Sequence, residues 1–121
     1  DRYHLMPGSA FDIEFGHGYD VVLITNFLHH FNTATCETLI RKIYTALKPG
    51  GRAVTLEFIP NEDRISPPGP ATFALAMLAS TSEGDAYTFS DLDQMFRNAG
   101  FERNEMLDVP ASPGRIVTSY K

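Results

Sequence analysis

Tyr19–Phe31, YDVVLITNFLHHF, and the stretch that answers it, Leu47–Phe58, LKPGGRAVTLEF, decide how the rest of the chain reads. Val21-Val22-Leu23-Ile24 is a continuous apolar run that stops at Thr25-Asn26. Such a run, bounded by polar residues, fits a strand buried on both faces of a parallel sheet. His29 and His30 follow just past its end. Ligands of open α/β sheets sit in the crevice beyond the carboxyl ends of the strands, so these histidines are expected at its rim. Between the two stretches, Thr33–Leu47 has the length of a helix. Asn32 or Thr33 can cap it, and Leu39, Ile40, Ile43 and Leu47 form a stripe that packs on a sheet. Pro49 forbids continuation, and Gly50-Gly51 permits a tight reversal into a strand over Arg52–Phe58. The expected unit is strand–helix–strand, with its chemistry at the strand tip.

Upstream, Arg2–Met6 reads as a short strand ending at the Pro7-Gly8 turn, and Ser9–Phe15 as a loop. Downstream, Pro60–Pro70 holds four of the eight prolines and reads as a loop. Ala71–Ala79, ATFALAMLA, is a short apolar helix whose Phe73, Met77 and Leu78 are expected in the core. Thr88-Phe89-Ser90-Asp91 offers a cap for a helix carrying Leu92, Met95 and Phe96, stopped by Gly100. Phe101–Val109 and Ile116–Tyr120 close the chain as an antiparallel hairpin around Pro110–Gly114.

With 121 residues, 43% hydrophobic and 21% charged, the chain is expected to form one domain over 1–121. A net charge of −5 argues against nucleic acid or an anionic membrane as partner. No segment has the apolar length of a membrane span. The single cysteine, Cys36, is expected to fill space in a helix and to belong to a reducing, cytoplasmic compartment. The first residue is Asp1 rather than Met, which points to a removed leader or a piece of something longer. The histidines and carboxylates lack metal-ligand spacing, and the Gly-x-Ser-x-Gly elbow of hydrolases is absent. Glu57 is the least expected residue in its strand, because burying a carboxylate is costly unless it is paired. Its partner could be His29 at the neighbouring strand tip, or Arg52 or Arg64 in a structural ion pair.

Taken in order, these residues resemble the C-terminal half of a class I S-adenosylmethionine-dependent methyltransferase, of the small-molecule O-methyltransferase family. Gly8-Ser9-Ala10-Phe11 looks like the family's Gly-Asp-Met/Ala-Phe loop after the third strand. Asn26-Phe27-Leu28-His29-His30-Phe31 looks like its Asn-x-Leu-His-Asp/His-Trp/Phe. Leu47-Lys48-Pro49-Gly50-Gly51-Arg52 with Glu57 is similar to its fifth-strand motif, and Ala99-Gly100-Phe101 to its late helix stop. Each is weak alone; the ordered set is specific. The family's opening strand with its Gly-x-Gly-x-Gly turn, and the second strand ending in a ribose-binding acid, have no counterpart in this sequence.

The resemblance implies an α/β fold: an incomplete Rossmann-like sheet made of strands three to seven. In the family order (three, two, one, four, five, seven, six) the missing pair leaves a gap in mid-sheet. The fragment is then expected to re-pair its strands, swap them with a second copy as a homodimer or strand-swapped oligomer, or leave Arg2–Met6 displaced. The resemblance further implies S-adenosylmethionine as cofactor and a small hydroxylated, aromatic or polyketide-like molecule as methyl acceptor. It makes His29 the general base and Glu57 its orienting carboxylate. Gly8, Ser9, Ala10, Phe11, Thr25 and Asn26 would bind the cofactor, while Met77 and Thr81 would face the acceptor. Two departures stand out. Ser9 replaces the aspartate that contacts the adenine amine, and Ala86 takes the place of a second carboxylate that braces the histidine in plant members. Alone, the chain is expected to be inactive and a weak cofactor binder. The alternatives are a non-catalytic remnant that dimerises through its sheet edges, and a methyltransferase acting on carbon or nitrogen.

Overall fold

A parallel strand pair needs a crossover, and the helix between the two defining stretches supplies it. The computed structural model describes residues 2–121. Its elements are β1 (Tyr19–Thr25), a one-turn 3-10 helix (Leu28–His30), α1 (Thr33–Ala46), β2 (Leu47–Glu57), α2 (Pro68–Ser80), α3 (Phe89–Asn98), β3 (Arg103–Asp108) and β4 (Arg115–Tyr120). They build a four-stranded sheet in the order β1-β2-β4-β3. β1 runs parallel to β2, and the closing hairpin is antiparallel, as expected.

Local chemistry accounts for the helix ends. The Asn32 side chain accepts from Thr35 N to start α1, and Thr88 and Asp91 form a capping box at the start of α3. The α1 stripe Cys36, Leu39, Ile40, Ile43 and Ala46 is buried. It meets Ile24, Ala53 and Val117 of the sheet and Leu92, Met95 and Phe96 of α3 in one core. Fully burying each leucine, isoleucine, valine, methionine or phenylalanine among them contributes about 1.5–3 kcal/mol.

Four expectations are corrected. Arg2–Met6 forms no strand and is exposed, so the sheet has four strands rather than five. A lone extended segment cannot satisfy its backbone polar groups in a ladder, and β1 is an edge with no strand on its outer side. β1 is also buried on one face only, the face that meets the core: Ile24 is 5% exposed and Leu23 69%. The reversal at Gly50-Gly51 does not precede β2 but lies inside it. Tyr19 pairs with Leu47 while Val21 pairs with Arg52, so Lys48–Gly51 is looped out of register. Gly50 has φ +76°, and a Cβ on Gly51 would come within 2.9–3.2 Å of three backbone carbonyls, which is why both positions require glycine. Finally, Leu78 is not in the core. On α2 only Pro70 and Met77 are buried, and Leu75 and Leu78 stand 66% and 76% exposed.

Cys36 fills space as expected. Its thiol donates to Leu28 O at 3.2 Å, and burial, with the nearby charges of Glu57 and Glu37, pushes its pKa up to about 12. The thiolate is the reactive form. A thiol reagent at pH 8 is therefore expected to label Cys36 only when the chain is unfolded in denaturant. Rapid labelling of the folded chain would show that the α1 packing is wrong.

Candidate active site

The parallel register brings the tips of β1 and β2 together, Thr25 beside Leu56, with Asn26 N donating to Leu56 O at 2.8 Å. Asn26 takes φ +51°, a left-handed conformation that asparagine tolerates better than most residues. There the chain leaves the sheet and turns into Leu28–His30. Glu57, the last residue of β2, lies under that turn. Its Oε1 accepts from Phe27 N at 3.0 Å, Leu28 N at 2.9 Å and His29 N at 3.4 Å. Its Oε2 lies 2.7 Å from His29 Nδ1. Both side chains are buried, 8% exposed for His29 and 5% for Glu57. One carboxylate thus caps three amides of the turn and holds the ring that the turn presents. Glu57 is not paired with Arg52 or Arg64; Arg64 binds Asp85 and Asp91. An ionised carboxylate can only accept, so Nδ1 carries the hydrogen and Nε2 of the neutral ring carries a lone pair.

Two aromatic rings flank His29. Phe73 of α2 meets it edge-on at 4.8 Å, and Phe58 stands at 6.5 Å and stacks on Phe73 at 4.2 Å. Phe73, expected in the core, is half-buried beside the ring instead; its spacing of one helical turn from Met77 is the signal the sequence carries. Met77 is buried on that helix. Thr81 has its hydroxyl committed, donating to Met77 O at 2.8 Å and accepting from Gly84 N at 2.7 Å. His30 is exposed, its ring 4.3 Å from that of His29.

The loop after α2 holds the turn from the other side. Asp85 N donates to His29 O at 3.1 Å, Asn32 Nδ2 donates to Glu83 Oε2 at 2.8 Å, and Tyr87 Oη donates to Phe31 O at 2.6 Å. Burial of Tyr87 pushes its phenol up to about 12. A Cβ on Gly84 would lie 2.3 Å from His29 O, a backbone atom that cannot rotate aside. Gly84→Ala is expected to cost about 1–3 kcal/mol and to shift the His29 ring resonances; unchanged thermal stability and unchanged resonances would show that this approach is not tight. Ala86 is buried, and the carboxylates of this loop turn elsewhere, Glu83 to Asn32 and Asp85 to Arg64 and the Ala86 amide.

The Gly8–Phe11 loop is built locally. Gly8 has φ +136°, Ser9 Oγ accepts from Phe11 N at 3.2 Å, and Ser9 O accepts from Asp12 N and Ile13 N at 3.0 Å. Phe11 meets Phe31 edge-on at 5.1 Å, and Phe31 meets Phe27 at 5.1 Å, so an aromatic ladder joins this loop to the histidine turn. Ala10 and Thr25 share a cavity of about 500 Å3 whose lining includes Met6, Val22, Phe27 and Ile43. Gly8, Ser9, Phe11 and Asn26 do not line it.

The model of the O-methyltransferase domain matches residues 2–102. The chain belongs to the O-methyltransferase domain family. It is similar to the crystal structure of a protein from Nostoc punctiforme PCC 73102 assigned as an O-methyltransferase, at 51% identity and a TM-score of 0.97 over 99% of this chain and 37% of that one. Human N-acetylserotonin methyltransferase, solved in complex with S-adenosylmethionine, superimposes with a TM-score of 0.88 at 25% identity over 96% of this chain and 33% of that one. Among curated relatives, the L-tyrosine C(3)-methyltransferase of Streptomyces lavendulae is 28% identical over 100% of this chain and 34% of its own length. The chain therefore spans about a third of the length of the O-methyltransferase domain proteins it matches.

Proposed function

We propose that this chain is the histidine-bearing part of a single S-adenosylmethionine-dependent catalytic domain. Its reaction methylates a hydroxyl of a small aromatic or polyketide-like acceptor. The observation that carries the reading is the buried His29 Nδ1–Glu57 Oε2 contact of 2.7 Å at the strand tips. S-adenosylmethionine, when bound, supplies a methyl group on a sulfonium, which an oxygen nucleophile can take. His29 Nε2 accepts the proton of the acceptor hydroxyl, and Glu57 holds the tautomer and stabilises the charged ring that results. The Phe58–Phe73 pair and buried Met77 exclude water on the α2 side and offer an aromatic acceptor a flat, soft wall. The Thr81 hydroxyl, bonded within its own turn, would add shape rather than a hydrogen bond.

For the cofactor, the residues present fit one side of a site. Ala10 and Thr25 share a cavity of about 500 Å3 with a mostly apolar lining, and the Gly8–Phe11 loop is tied to the histidine turn through Phe31. Gly8, Ser9 and Asn26 neighbour Ala10 and Thr25 in sequence but do not line that cavity. A buried free thiol and a chain of net charge −5 fit a reducing, cytoplasmic setting. The test is an NMR titration of the chain with S-adenosylhomocysteine. Shifts confined to Ser9–Ile13 and Thr25–His29, with a dissociation constant of about 1 mM or tighter, are expected; no shift there would overturn the cofactor reading.

The tyrosine C(3)-methyltransferase among the relatives supports a second reading, in which the acceptor is carbon. The open edge of β1, with Val21 and Leu23 exposed, supports a third, in which copies of the chain pair or swap strands there as a homodimer. A mass independent of concentration in analytical ultracentrifugation would exclude it.

A further inference from the structure

Lys42 lies in the C-terminal half of α1, short of its last turn, where the helix dipole acts only weakly. That explains none of its contacts. Its half-buried side chain reaches back 32 and 31 residues, and Nζ donates to Ala10 O at 3.0 Å and Phe11 O at 2.9 Å. The same nitrogen stands 4.7 Å from the centroid of the Phe15 ring. A lysine ammonium has three donors and no acceptor. Here it gathers two successive carbonyls and an aromatic face, and so pins both limbs of the Ser9–Phe15 turn to α1. Ala10, one of the two residues whose carbonyls Lys42 holds, lines the cavity that Thr25 shares. The remaining ties of its Gly8–Phe11 limb are internal, through Ser9, or apolar, through Phe11 and Phe31, while on the other limb Tyr19 Oη donates to Phe15 O at 2.6 Å. Neither type fixes peptide direction as two charge-assisted hydrogen bonds do.

We propose that Lys42 is a positioning residue for the Gly8–Phe11 loop and, through the direction of those two carbonyls, sets the affinity of the chain for the S-adenosyl nucleoside. This rests on the cofactor reading given above. Ordering the loop before the ligand arrives removes a cost that binding would otherwise bear.

The test compares the chain with Lys42→Met, which keeps the apolar stem, and Lys42→Arg, which keeps the donors. Two quantities are read: amide exchange of Asp12 and Ile13, which donate to Ser9 O, and the dissociation constant for S-adenosylhomocysteine. Lys42→Met is expected to speed exchange at Asp12 and Ile13 about tenfold and to weaken the nucleoside about tenfold. The amides of Leu39, Ile40 and Ile43 should keep their protection, and Lys42→Arg should recover most of both losses. Unchanged exchange at Asp12 and Ile13 overturns the proposal. So does faster exchange with unchanged affinity, because the loop is then held but does not set binding. General loss of α1 protection would make Lys42 a fold residue and also overturn it. Failure of the unaltered chain to bind the nucleoside is a different result: it defeats the cofactor reading, and this inference with it.

Discussion

Glu57→Gln, placed in the whole catalytic domain of which this chain is proposed to be a part, is expected to leave the fold standing and to lower the rate of methyl transfer by roughly a hundredfold or more. Glutamine keeps one oxygen, which can go on accepting from the amides of Phe27, Leu28 and His29, now held by Glu57 Oε1 at 2.9–3.4 Å. What replaces Oε2 is an NH2 group facing His29 Nδ1, which lies 2.7 Å from that oxygen in the present structure. A donor there forces Nδ1 to accept and moves the hydrogen to Nε2, the wrong tautomer for a base. Glu57→Ala should behave differently. It strips the acceptor from three buried amides and from the ring, and breaking a buried pair by removing one partner costs about 3–5 kcal/mol. Against a usual total of about 5–15 kcal/mol, that is visible in urea unfolding. A Glu57→Gln catalytic domain with full activity would show that the carboxylate is a cap and nothing more.

His29→Ala separates the acceptor classes. If the nucleophile is a hydroxyl that must lose its proton as it attacks, removal of the base should lower turnover by about 10²–10⁴. If it is an activated ring carbon, the attacking bond forms before any proton leaves, and the loss should be only a few-fold. The readout is the initial rate of the whole catalytic domain carrying the substitution, with a phenolic acceptor and the methylated position located by NMR of the product. A large loss with an O-methylated product supports the reading proposed here. A small loss with a C-methylated product places the chain beside its tyrosine-methylating relative. Because the substitution also empties space between Glu57 and Phe73, circular dichroism of the variant must show native helix content before the rate is interpreted.

The parts of the fold that were legible in the sequence are those settled by neighbours along the chain. The α1 stripe, the Asn32 cap, the Thr88–Asp91 capping box and the hairpin around Pro110–Gly114 depend on spacing and turn chemistry, and they appear where spacing puts them. Glu57 was conspicuous for a physical reason, a carboxylate in an apolar strand, and its pairing with His29 rather than an arginine resolved an open choice. What the sequence could not disclose depends on what lies alongside. Arg2–Met6 has strand composition, but no strand lies beside it to complete a ladder. α2 is apolar on every side, so its pattern could not say that Met77 would be buried and Leu78 exposed. The three amides on Glu57 follow from the path of the backbone at Phe27–His29, and Lys42 meets the loop across 31 residues. No local pattern encodes either.

The account rests on Glu57 fixing His29 with its hydrogen on Nδ1 and a bare Nε2. Nitrogen-15 NMR of the histidine rings in the folded chain, at a pH where the His29 ring is neutral, reads this directly. The predicted result is a protonated Nδ1 and an unprotonated Nε2 for His29, reversed in Glu57→Gln, while exposed His30 shows the ordinary mixture of tautomers. A hydrogen on His29 Nε2 in the unaltered chain would contradict the account, because the ring would then face the acceptor with a donor and could not take its proton.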